Sequence, residues 1–162
     1  ILNSKLATYY HFNNSPKATK GAFPKILVSD IRKFPIPDLN SVKLIETLFD
    51  YLFFLNKNVV SPINNYIAND EMSTWFENLL DMIVFELYFT EHMKEQEIDV
   101  LQYFDTGKYF VTIEGKNNYD ISHIIGNCYS WLQQENNPIR NRMMLADVRS
   151  KDIIGRINSA TH

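Results

Sequence analysis

Apolar residues return at intervals of three and four through the middle of the chain, which is the spacing of one buried helix face. Val42, Ile45, Leu48, Phe49, Leu52 and Leu55 predict an amphipathic helix over 39–56. Trp75, Leu79, Met82, Ile83, Phe85, Leu87 and Tyr88 predict a longer one from Met72 to Thr90, with Glu77, Asp81 and Glu91 set among them. A third helix is expected over 93–104, ending in Val100, Leu101, Tyr103 and Phe104 and stopped by Gly107. Ile1, Leu2, Leu6, Tyr9 and Tyr10 place a short helix over 1–12, halted by Asn13-Asn14-Ser15-Pro16. Ser61-Pro62 and several asparagines make 59–69 a connection.

Elsewhere the pattern changes. Lys17 to Gly21 reads as an exposed loop and Phe23 to Val28 as an extended segment, with Ser29 or Asp30 able to cap a helical turn. Phe34-Pro35-Ile36-Pro37 is held extended, because each proline disfavours helix in the residue before it. Tyr109 to Glu114 is rich in aromatic and β-branched residues and predicts one strand, closed by Gly115 and Asn117-Asn118. Asp120 can cap a helix over 121–134, Pro138 can open another through Met144 and Leu145, and Ser150 can cap a last one over Ile153, Ile154 and Ile157. The expected fold is mainly α, an α+β chain with a small amount of strand. It divides into an N-terminal stretch (1–40), a helical support (41–104) and a small α+β or helical extension (105–162). The C-terminal part is expected to be bundle-like.

Composition adds limits. A hydrophobic share of 45% with five glycines and six prolines describes a folded domain, and 162 residues suffice for a core without staples. Cys128 is the single cysteine, so no internal disulfide or thiolate zinc site can form, and a reducing, cytoplasmic setting is expected. The 162 residues show neither a basic n-region nor an apolar run of the length a signal peptide or membrane span requires, so no membrane partner is expected. The opening Ile1-Leu2-Asn3-Ser4, without an initiator methionine, suggests a piece of a longer polypeptide.

The net charge of −3 hides an uneven distribution. Residues 1–43 hold seven Lys/Arg against two Asp, 44–135 hold four against fifteen acidic residues, and 136–162 hold five against two. A basic N-terminal part suits a polyanion, and an acidic middle suits water or protein.

Catalytic patterns are scarce. The adenine-methylating tetrapeptide, Asn or Asp followed by two prolines and an aromatic, is absent, and so is a glycine-rich loop for a methyl donor. Asn136-Asn137-Pro138-Ile139 reads instead as a helix start. Glu114-Gly115-Lys116 has the acid-x-Lys form of metal-dependent nucleases, but its nearest partners, Asp99 and Asp105, fall in a predicted helix and its trailing loop. His11, His92, His123 and His162 are dispersed; His92 with Glu91 or Glu95 is the one local pairing, and it falls short of a metal site. Cys128 reads as a small core residue. No catalytic and no metal-binding residue is therefore assigned. The remaining candidates are Lys17, Thr19, Lys20, Lys25, Arg32 and Lys33, interleaved with Tyr9, Tyr10, His11, Asn13 and Asn14. Lysine and arginine contact phosphate, whereas Asn, Thr, His and Tyr can read base edges.

Three short strings in order, Leu2 to Lys5 (LNSK), Phe23 to Ile26 (FPKI) and Pro35 to Pro37 (PIP), resemble the end of the target-recognition domain of TaqI-type adenine DNA methyltransferases and fused type IIG restriction-modification enzymes. Asp81 to Tyr88 (DMIVFELY) is similar to the helix that follows that domain, and Ile139 to Arg142 with Ser150 to Ile154 resembles the C-terminus of a subset of the fused enzymes. The resemblance implies that 1–40 is the end of a DNA target-recognition domain and that 13–25 is its contacting loop. It also implies a parent that uses S-adenosylmethionine, and Mg where a nuclease is fused, through an upstream methyltransferase domain. Double-stranded DNA would be the partner. The alternative is a helical spacer or self-associating module that never touches DNA.

Overall fold

The computed structural model describes residues 1–14, 28–37, 42–57, 68–104 and 107–161. In chain order its helices are α1 (Lys5–Asn14), the single turn α2 (Val28–Ile31), α3 (Val42–Lys57), α4 (Asn69–Tyr88), α5 (Thr90–Glu95), a 3-10 turn at Leu101–Tyr103, α6 (Asn118–Leu132), α7 (Pro138–Arg149), a π-helical turn at Lys151–Gly155 and α8 (Arg156–Ala160). The two strongest periodicities thus become the two longest helices among the described residues, which pack on one another, although Val42 and Phe49, expected on the buried face of α3, are exposed and Tyr51 and Phe54 are buried in their stead.

Leu48, Tyr51 and Leu55 of α3 and Phe76, Leu79 and Ile83 of α4 are almost fully buried, with the Tyr51 and Phe76 rings edge to face at 5.7 Å. Ile125, Cys128 and Leu132 of α6, Ile139 of α7 and Ile154 of the π turn close over them. This core is continuous from Leu6 to Ile157, so residues of all three sequence stretches share it. No helix among the described residues is long and apolar enough to cross a membrane.

Helix ends follow local chemistry. Asn137 accepts hydrogen bonds from the backbone N–H of Ile139 and Arg140 at 3.0 and 3.3 Å, and Pro138 takes the first turn, where its missing N–H costs nothing. Asn117, rather than the expected Asp120, caps α6: the helix starts three residues earlier and Asn117 accepts from the Asp120 N–H at 3.0 Å. Ser150 Oγ accepts from the Ile154 N–H at 3.3 Å at the start of the π turn.

Three further expectations are corrected. Among the described residues there is no strand, and 109–114 is irregular. Its aromatic residues serve packing instead: Tyr109 stacks on Trp131 at 4.2 Å and Phe110 meets the same ring edge-on. The Val111 carbonyl takes its hydrogen bond from the Tyr51 hydroxyl at 2.7 Å, where a strand would need a neighbouring backbone. The third helix stops at Glu95, well short of 104. Glu97 turns to φ 53, and the Glu86 carboxylate receives the Val100 and Leu101 N–H groups at 2.5 and 2.9 Å, donors that a continuing helix would have aimed at its own carbonyls. Finally, Asn13 and Asn14 lie inside α1, their side-chain amides donating to the Tyr9 and Tyr10 carbonyls one turn back.

Candidate nucleic-acid interface

Helix α1 begins where Ser4 accepts a hydrogen bond from the Ala7 N–H at 3.2 Å, a side-chain cap on the first turn. The next residue, Lys5, ties that turn to α4. Its backbone N–H donates to Asp81 at 3.0 Å, its ammonium lies 3.7 Å from the same carboxylate, and the ammonium also donates to Asn78 at 3.0 Å. Burial pushes the Asp81 carboxyl up from its ordinary value, while the Lys5 contacts act in the opposite sense.

At the other end of α4, Tyr88 donates its hydroxyl to the Pro35 carbonyl at 2.6 Å. Phe34 is buried between two rings, edge to face with Tyr10 at 5.0 Å and tilted against Tyr88 at 5.8 Å. Tyr10 also donates to the Lys33 carbonyl at 3.4 Å. Phe34 is therefore the anchor of the 28–37 segment: its ring enters the body while its two predecessors, Arg32 and Lys33, stay exposed on a turn whose backbone is held. Both are therefore exposed, positively charged side chains on a turn fixed at its root.

Of the residues expected to contact DNA, Arg32 and Lys33 are thus neighbours at the surface. Lys17, Thr19, Lys20 and Lys25 lie outside the described residues. One basic residue was missed. Arg156, exposed on α8, lines a groove of about 290 Å³ with Tyr9, Tyr10 and Asn14 of α1 and with Asp152. The basic balance of 136–162 was its only trace in the sequence. His11, on the same helix, has its Nε2 buried with no hydrogen-bond partner among the described residues.

The other chemical candidates are drawn into structural roles. Glu114 and Lys116 sit on a tight turn around Gly115, at φ 71, with the Lys116 N–H donating to the Ile113 carbonyl at 3.2 Å. Asp99 is buried, accepts a hydrogen bond from the Gln102 amide and lies 3.9 Å from the Arg142 Nε. Arg142 also donates to the Tyr103 hydroxyl at 2.6 Å and covers that ring, so it ties α7 to the 99–103 segment. Asp105 is outside the described residues. His92 does not join an acidic neighbour; its Nε2 makes a 2.7 Å hydrogen bond with Ser150. Cys128 is fully buried and its thiol is pushed up by that burial, which keeps it a thiol rather than a thiolate. Among the described residues no group of three or more His, Cys, Asp or Glu is arranged to hold a metal ion.

No family model matches the chain, and neither a curated protein nor a solved structure resembles it significantly.

Proposed function

We propose that this chain is the DNA-contacting end, with its helical support, of a bacterial restriction-modification enzyme of the adenine-methylating type, and that it works by holding the basic turn of Arg32 and Lys33 against duplex phosphates. An upstream methyltransferase domain of the same polypeptide would bring S-adenosylmethionine and flip the adenine. The observation that carries the reading is the meeting of separate stretches. The LNSK string meets the DMIVFELY helix through Lys5 and Asp81, and the PIP string meets its other end through Pro35 and Tyr88. Two of the strings that carry the family resemblance thus meet the helix that carries a further one, and the exposed Arg32 and Lys33 lie just before the second of them.

Rigid support matters because phosphate contacts position a protein on DNA only if the side chains start from a fixed backbone. Fluorescence anisotropy with a labelled duplex over a salt series tests the proposal. Each phosphate contact contributes about one unit to the slope of log affinity against log salt. Arg32→Ala with Lys33→Ala is expected to flatten the slope by about two, and Lys17→Ala with Lys20→Ala by a similar amount. Phe34→Ala removes no charge yet should also lower affinity, since it frees the turn. An affinity that is absent at low salt, or that none of these substitutions changes, overturns the reading. It would leave the helical spacer as the better one.

A further inference from the structure

Helix α3 buries one face and leaves the other with an apolar stripe. Phe49 and Phe53 are 60% and 64% exposed and Val42 is 40% exposed. At 100° per residue these three lie within about 20° of a common line along the helix. Phe53 also lines a neighbouring cleft of about 540 Å³ that sets apolar Phe54, Ile113 and Ile121 beside charged Asp50, Lys57 and Glu114. Large aromatic side chains grouped at a surface mark a contact site, whereas scattered ones do not.

From the charges beside this stripe we infer that its partner is a second copy of the same chain, docked antiparallel along α3. Glu46, Asp50 and Lys57 run along one edge of the stripe, all exposed, and none of the three is in an ion pair within the described chain. A two-fold axis passing between residues 51 and 52 sets Glu46 of each copy opposite Lys57 of the other and interleaves Phe49 with Phe53. About that axis the edge complements itself: two Glu46–Lys57 pairs form, against a single like-charge approach of the two Asp50 carboxylates beside the axis. An isologous contact of this kind requires a patch that complements itself, which an arbitrary partner would not impose. At 16 residues, α3 is about 24 Å long. Its stripe offers less than the roughly 800 Å² per partner of a standard stable interface, so the dimer is expected to be concentration-dependent.

The inference is independent of the DNA reading and fails separately from it. Sedimentation equilibrium of the chain over a concentration series should give a mass rising from 19.0 kDa towards twice that value. Phe49→Glu with Phe53→Glu, both at exposed positions, should weaken the dimer more than about tenfold while circular dichroism and DNA affinity per chain stay unchanged. Glu46→Lys or Lys57→Glu alone should weaken it about threefold, the two together should restore it, and Asp50→Asn should tighten it. A mass that stays at 19.0 kDa, a dimer indifferent to the phenylalanine pair, or a charge swap that does not rescue overturns the proposal.

Discussion

Glu86 shows how one buried side chain redirects the backbone. It lies on α4 with its carboxylate aimed at Val100 and Leu101, taking two N–H donors where the sequence pattern would have continued a helix. Burial holds its carboxyl above the ordinary value of 4.5, the two hydrogen bonds oppose that shift and the nearby Asp99 adds to it. The folded chain therefore keeps this proton over a range in which the unfolded chain has already released it. Glu86 accordingly contributes stability that is complete below pH 4.5 and is lost as pH rises through its folded value. Glu86→Gln keeps an acceptor and removes the titration, so urea unfolding should show this part of the pH dependence gone and neutral stability unchanged or raised. Glu86→Ala instead leaves two donors without an acceptor and is expected to cost about 1–3 kcal/mol at neutral pH. Equal effects from the two substitutions would mean that the charge, rather than the acceptor, is what matters at this position.

Among the elements, α7 and the π turn after it depend on caps that the sequence does announce. Asn137 is buried, accepts from two backbone N–H groups and donates its amide to the Trp131 carbonyl at 3.1 Å, so it joins the end of α6 to the start of α7. Asn137→Ala should lower the denaturation free energy by about 1–2 kcal/mol, whereas Asn137→Asp, which keeps the cap but not the amide donor, should fall between the two. Pro138 and Ser150 were equally legible, because capping depends on residues a few positions apart. The expected strand at 109–114 was not. Tyr109, Phe110 and Val111 have the composition of a strand, yet a lone strand has no ladder to join, and these residues pack on Trp131 and reach Tyr51 instead. The helix expected to run to residue 104 failed for a related reason: its competitor, Glu86, is distant in sequence and no local window contains it.

At the scale of the whole molecule, one core runs from Leu6 to Ile157, and Trp75 and Trp131 pack on it from different helices. Unfolding followed by helix circular dichroism and by tryptophan fluorescence should therefore give coincident transitions, and separated midpoints would mean that parts of this core melt independently. The same continuity bears on the candidate interface. Arg32 and Lys33 were identifiable as basic residues, but nothing local indicated that Phe34 would be clamped between Tyr10 and Tyr88 or that Pro35 would accept a bond from Tyr88, since those partners are tens of residues away. Arg156 was missed because its neighbours in the groove, Tyr9 and Tyr10, lie at the opposite end of the chain. By itself the sequence determined what depends on period and near neighbours: the mainly helical class, the buried face of α4, the Leu48, Leu52 and Leu55 side of α3, the starts of α7 and the π turn, and the placing of positive charge at the two ends. The tertiary structure alone decided where Glu86 would spend its carboxylate, which helix would hold the basic turn, and which face of α3 would be left with Phe49 and Phe53 uncovered. Such choices depend on competition between groups far apart in the chain, and only packing brings those groups within reach of one another.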